Sequence, residues 1–229
     1  MVDVTIINGS PKMERGNTAF LLMPFMAGMQ KAGANIKLIY ASQLQIKPCS
    51  CGKMLCWSKT PGVCIHDDEM SALYRSLKQS DILITATPVY TPLPGAMQEF
   101  LNRLCPLVEP RLRFANGRSR AQFREDVKIK KIGLVVANGW WELQNTDKVV
   151  EIFRDFTALV KCEFLPPILR PQAGNLRSIA VTSDVAKEIL RSLETEGEQL
   201  IRTGTIETAI IESIQQPLMS LEDLLANWK

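Results

Sequence analysis

The 229-residue sequence predicts an α/β fold, a doubly wound parallel sheet of five strands covered by helices on both faces. Two observations carry this. Short β-branched runs alternate with helix-length segments along most of the chain. The runs are apolar at successive positions, as strands buried under two helix layers must be, because neither face meets water.

The elements follow in order. Val2–Ile7 is a buried strand that ends at Asn8-Gly9-Ser10. Asn17-Thr18 starts a helix whose apolar residues continue through Phe20, Leu21, Met23, Phe25, Met26 and Met29; Pro24 falls inside it, and Gly33 closes it. Ile36–Tyr40 is the second strand. Residues 47–66 are a cysteine-rich loop, after which Asp67-Asp68 begin a helix running to about Ser80, with acids at its positive end. Ile82–Thr87 is the third strand, and Ala96–Val108 reads as helical. Residues 109–131 are a basic, irregular insert. Ile132–Ala137 is the fourth strand and Asp147–Val160 a helix. Phe164–Leu169 is a fifth strand broken by Pro166-Pro167, and Ser183–Arg202 a polar amphipathic helix. Residues 205–229 are a helical extension. The whole is expected to be one domain, residues 1–229.

Composition limits the function. A net charge of +3 is too weak to argue for nucleic acid or an anionic membrane as partner, and aromatic residues do not alternate with the arginines of the basic insert as a nucleic-acid platform requires. Neither a signal peptide nor a run of about 18 apolar residues is present, so no membrane partner is expected. Four of the six cysteines fall within residues 49–64. Without an export signal that clustering points to metal or redox chemistry in a reducing cytoplasm, not to a disulfide framework.

In such sheets ligands sit beyond the carboxyl ends of the strands. The first such loop, Gly9-Ser10-Pro11-Lys12-Met13-Glu14-Arg15-Gly16-Asn17-Thr18, is neither a dinucleotide fingerprint nor a Walker loop. It offers hydroxyls from Ser10 and Thr18, the Asn17 amide and free N–H groups at a helix start, which together can wrap a phosphate dianion; Lys12 and Arg15 add charge at its edge. Its plain alternative is an ordinary turn with an Asn or Thr cap. The third-strand loop, Pro88-Val89-Tyr90-Thr91, is rigid and apolar, and Tyr90 either lies on a planar ligand or packs under the next helix. The fourth-strand loop carries Asn138-Gly139-Trp140-Trp141, whose tryptophans either cover a ligand or fill a core edge and an interface.

Gly9-Ser10-Pro11, Gly16-Asn17-Thr18 and Thr87-Pro88-Val89-Tyr90 through Pro94-Gly95 resemble the NAD(P)H-dependent FMN reductases, and among them the iron–sulfur flavoproteins, over roughly residues 2–160. The resemblance implies a flavodoxin-like sheet of order 2-1-3-4-5. It implies FMN as cofactor, held by Ser10, Pro11, Lys12, Gly16, Asn17 and Thr18 at the phosphate, with Pro88, Val89, Tyr90, Thr91, Asn138, Gly139 and Trp140 beside the ring. NAD(P)H is then a co-substrate, and a quinone, a flavin or a similar small molecule the electron acceptor. A homodimer or homotetramer is implied too. The alternative within the resemblance is an electron carrier that exchanges electrons with protein partners.

Iron–sulfur flavoproteins carry C-x2-C-x2-C and a fourth cysteine at this point of the chain; here Cys49, Cys51, Cys56 and Cys64 are spaced C-x-C-x4-C-x7-C. The cysteines hold a [4Fe–4S] cluster, hold nothing, or serve zinc or a redox disulfide. His66, the one histidine, is a further candidate ligand, and Cys105 and Cys162 read as core. The basic insert is a solvated face, a lid over NAD(P)H phosphates or an oligomer contact. With one histidine no catalytic triad is expected.

Overall fold

The computed structural model describes residues 1–115 and 117–227. In chain order the elements are β1 (Asp3–Asn8), α1 (Asn17–Lys31), β2 (Asn35–Tyr40), α2 (Leu55–Ser58), α3 (Glu69–Gln79), β3 (Ile82–Pro88), α4 (Gly95–Asn102), β4 (Val108–Ala115), β5 (Arg118–Phe123), β6 (Lys131–Ala137), α5 (Asp147–Val160), β7 (Glu163–Phe164), β8 (Ile168–Arg170), α6 (Ala173–Ile179), α7 (Asp184–Thr203), α8 (Thr208–Gln215) and α9 (Leu221–Asn227).

The main sheet runs β2-β1-β3-β6, with β7 and β8 both on the free edge of β6, and every pairing in it is parallel. This is the expected order 2-1-3-4-5. The fifth lane is split because Pro166 and Pro167 cannot donate to the ladder, leaving two short pairings, Lys131 with Glu163 and Val135 with Ile168. β1, β3 and β6 are buried along nearly their whole length, whereas β2 lies at the edge and is only half-buried.

Helices cover both faces. Leu73, Phe100 and Phe153 of α3, α4 and α5 build one core; Leu22, Leu176, Leu193 and Ile214 of α1, α6, α7 and α8 build the other. A fully buried Phe25, Phe100 or Phe153 contributes roughly 1.5–3 kcal/mol. Stability therefore resides in the two faces, and the loops at the sheet's carboxyl edge are left for function. α1 carries Pro24 in its interior and packs along α7. A Cβ on Gly28 would lie 1.8 Å from the Glu194 carbonyl oxygen, and one on Gly197 2.0 Å from that of Phe25, so only glycine permits this contact of backbones.

Three expectations are corrected. The helix proposed over residues 96–108 ends at Asn102; a 3-10 turn at Cys105–Leu107, with Pro106 inside it, gives way to β4 at Val108. Residues 109–131 are not irregular throughout: β4 and β5 form an antiparallel hairpin apart from the main sheet, with a register shift between Glu109 and Arg113 where Pro110 interrupts pairing. Arg113, Arg118 and Arg120 tie the hairpin to α5, while Arg111 stays exposed and pairs with Glu109 of its own strand. Arg118 and Arg120 reach Asp155 on α5 at 3.0 and 3.7 Å, Arg113 donates to the Ala158 carbonyl at 3.0 Å, and Phe123 meets Phe156 edge-on. Finally, α6 was not foreseen.

Glu196 on α7 is fully buried, and neither carboxylate oxygen has a hydrogen-bond partner of normal geometry. Burial pushes its carboxyl up from 4.5 to about 7. Between those values the folded protein holds a proton that the unfolded chain has released. Stability therefore falls as pH rises through this window, by up to about 1.4 kcal/mol per pH unit, and levels off above it. Glu196→Gln should remove that slope, which urea unfolding at pH 4.5, 6 and 8 would measure.

Candidate cofactor site

β1 delivers the chain to the sheet's carboxyl edge at Asn8, whose buried side chain accepts from the Ser10 N–H at 2.9 Å. The Gly9 N–H donates to the Ala86 carbonyl at 2.7 Å and ties the loop to β3. Ser10 is buried, and its hydroxyl accepts from the Lys12 N–H at 3.3 Å. A one-turn 3-10 segment, entered through Met13 at φ +48°, then turns the chain into α1.

The start of α1 has three features of an anion cradle. Gly16 occupies the N-cap and brings no side chain to cap the first turn, and that turn holds no acid, so the helix's positive end is uncompensated. A Cβ at Gly16 would lie 2.6 Å from the Ser10 hydroxyl, so glycine keeps open the space beside that hydroxyl. Thr18 is buried, and its hydroxyl has no hydrogen-bond partner. Such a group costs about 1–3 kcal/mol in isolation, and a phosphate oxygen would satisfy it. α6 closes the loop from behind: the Arg177 guanidinium donates to the Arg15 carbonyl at 2.5 Å, and a Cβ on Gly174 would lie 3.4 Å from the Asn17 amide nitrogen. Pro11 and Lys12 stand exposed at the rim.

The other two loops meet at the same edge. Val89, Tyr90, Thr91 and Pro92 face α5 across an open cleft of 540 Å³. Trp140, Glu142, Gln144 and Asn145 line an adjoining one of 560 Å³, and Asn145 belongs to both. Tyr90 and Trp140 are each about half exposed, at 53% and 52%. Trp141 instead fastens the C-terminal segment, donating its indole N–H to the Met219 carbonyl at 3.2 Å. Asn138 is fully buried. Its amide oxygen accepts from the Trp140 N–H at 3.0 Å, and its amide nitrogen donates to the Glu142 carbonyl at 2.7 Å. Its side chain therefore shapes the turn that presents Gly139 and Trp140.

The family model for NADPH-dependent FMN reductases matches residues 2–140, a span that takes in the first two loops and the third as far as Trp140. The chain belongs to this family. It is similar to an iron–sulfur flavoprotein of Archaeoglobus fulgidus, 31% identical over 102 residues; that alignment covers 44% of either protein, so the chain spans less than half of this curated relative. Among solved structures it is similar to an NAD(P)H:quinone oxidoreductase from Methanothermobacter marburgensis, with a TM-score of 0.61 and 14% identity over 87% of this chain and 96% of the other. An FMN-dependent NADH-azoreductase from Bacillus anthracis, in complex with FMN, gives a TM-score of 0.55 and 14% identity, over 88% of this chain and 98% of the other. At these identities the solved structures bear on the fold. Among the described residues, no helix is long and apolar enough to cross a membrane.

The cysteine segment of this FMN reductase family member is pinned from below. Arg103, just past α4 and 1% exposed, forks onto Asp68 at 2.7 and 3.0 Å, donates to the Lys47 carbonyl at 2.5 Å and reaches the Cys64 sulfur at 3.4 Å. Arg124 bridges the Pro106 and Cys56 carbonyls, and the Trp57 indole donates to the Cys105 carbonyl at 2.9 Å. Cys105 thereby joins the cysteine group, although its sequence context reads as core. Burial, with Cys105, Cys51, Cys64 and Cys49 nearby, pushes the Cys56 thiol up to about 12. His66 bonds to the Ser50 hydroxyl at 3.0 Å. Among the described residues, no three or more His, Cys, Asp or Glu side chains converge as a metal ion demands. Cys49, Cys51, Cys56 and Cys64 therefore do not fit a [4Fe–4S] cage as they stand.

Sequence reasoning missed Arg103, Gly174 and Arg177. A basic residue after an apolar helix and a glycine-containing turn behind the last strand carry no motif. Asp68 was read as a helix-start acid and is one, since it accepts from the Met70 N–H, but it also neutralises Arg103. Hydrogen bonds from Arg103 hold its carboxyl down at about 2. That depressed value makes the pair's contribution complete above the ordinary 3.8 and lost as pH falls toward 2. Asp68→Asn leaves a buried guanidinium unpaired. It should lower unfolding stability at neutral pH by about 3–5 kcal/mol, measured by urea denaturation, and flatten the acid limb below pH 4.

Proposed function

We propose that the chain binds FMN by its phosphate at Ser10–Thr18, and that NAD(P)H supplies electrons for a small acceptor such as a quinone or a second flavin. The observation that carries this reading is the buried, partnerless Thr18 hydroxyl at an uncapped helix start beside Ser10. When bound, FMN supplies hydride and electron-transfer chemistry that no protein side chain has.

The residues' own work is to bind, orient and shield. Ser10, Asn17, Thr18 and the first N–H groups of α1 grip the phosphate, and Lys12 and Arg15 add positive charge at the rim. Val89, Tyr90 and Thr91 border one cleft and Trp140 the other, giving planar molecules apolar walls. Gly139 keeps its turn open, with nothing within 4 Å of where a Cβ would be. Arg113, Arg118 and Arg120 of the hairpin are engaged with α5, which disfavours the lid over NAD(P)H phosphates. We place the protein in the cytoplasm as a homodimer or homotetramer with no nucleic-acid or membrane partner. The electron-carrier reading needs a cluster cage; the cysteine geometry favours the reductase.

Thr18→Val tests the cradle. It removes a buried hydroxyl and keeps the shape. Thermal stability of the flavin-free protein should hold or rise, while the Kd for FMN, read by quenching of flavin fluorescence, should rise about tenfold for one lost charge-assisted bond. NADPH oxidation with menadione as acceptor should appear only after FMN is added. A protein that never takes up FMN overturns the reading.

A further inference from the structure

The cysteine segment is the one motif that the proposed function leaves unused. We propose that Cys49 and Cys51 form a reversible dithiol–disulfide pair that exchanges with low-molecular-weight disulfides of the glutathione type.

The five neighbouring cysteines divide by access. Cys56 is buried, and Cys64 is held by Arg103. Cys105 lies behind Trp57, its carbonyl taken by the indole. Cys49 alone is exposed, and Cys51 is half-buried beside it, with the two thiols near enough to interact. Their backbone is pinned on both sides. The Cys49 N–H donates to Glu99 of α4 at 2.9 Å, and Ser50, between the cysteines, bonds to His66 at 3.0 Å. The Gly52 N–H folds back on the Ser50 carbonyl at 3.0 Å, which makes Cys51 the centre of a three-residue turn. With a single residue between them, Cys49 and Cys51 fall within the span a disulfide bridges when the backbone at Ser50 curls. A metal cage would need three or more such side chains converging on one centre, which none of the described residues do.

The exchange balances. The Cys49 thiolate attacks one sulfur of the incoming disulfide, that S–S bond breaks, and one thiol leaves. The Cys51 thiolate then attacks the Cys49 sulfur, breaks the mixed disulfide and releases the second thiol. The protein gives up two electrons and two protons, and the small disulfide is reduced to two thiols. An exposed disulfide in so small a ring is readily reduced again, as a switch requires.

The test uses protein purified anaerobically, incubated with oxidised glutathione, alkylated and digested. The expected product is two hydrogens lighter, with Cys49 and Cys51 protected in one peptide and restored by dithiothreitol. Cys51→Ser should stop at a glutathione adduct on Cys49, and Cys105→Ser should still close the pair. Protection falling on other cysteines, no protection at all, or iron and acid-labile sulfide co-purifying with the cysteines would each overturn the proposal. None of these readouts involves flavin, so the proposal and the FMN reading fail separately.

Discussion

Where β1 ends in a buried asparagine and α1 begins at a bare glycine, the first N–H groups lack a side-chain cap and the Thr18 hydroxyl lacks a partner. A helix start in a protein interior is normally capped by a side-chain oxygen or an acid. Here both are missing, and the loop is nevertheless fixed from three directions: by Ala86 of β3, by Asn8 beneath it and by Arg177 of α6. A rigid, electron-poor hollow of this kind is stable only because the rest of the molecule holds it, and under the proposed function a doubly charged phosphate would relieve it. The order of the sheet, the close passage of α1 against α7 and the buried strands all place that hollow at the edge where the other two loops converge.

Buried cations serve the same end elsewhere. Arg103 fastens the cysteine segment to α4 and α3 through Asp68 and two further contacts. Arg170, fully buried with no acid beside it, donates to the Ile214 and Gln216 carbonyls and holds the end of α8, and burial lowers its guanidinium to about 10. Where arginine replaces an apolar contact, it does so by gathering carbonyls from segments distant in sequence.

Much of this architecture could be read from residue order. Val2–Ile7, Ile82–Thr87 and Ile132–Ala137 are continuous apolar runs because both their faces are covered, and that pattern needs no partner to be recognised. The proline break in the last strand and the helix over Asp147–Val160 were equally local. What stayed hidden depends on distant partners. The basic stretch is largely a solvated face, as read, but its hairpin form stayed hidden because Asp155, which pairs with Arg118 and Arg120, lies on a later helix. Cys105 looked like core because Trp57 and Arg124, which bring it to the other cysteines, are far away in sequence. Asn138 sat at the right edge for a ligand contact, and only its two internal hydrogen bonds reveal that it builds the turn. The candidate site residues were thus legible by position along the sheet edge, and their division of labour was not.

The most direct measurement compares the affinity of the flavin-free protein for FMN and for riboflavin, which differ only in the phosphate, in one low-salt buffer. If the cradle at Ser10, Asn17 and Thr18 supplies the grip, FMN should bind about a hundredfold more tightly or better, the worth of two or so charge-assisted hydrogen bonds, with the gap narrowing as salt is raised. Equal binding of the two flavins would contradict the account at its base.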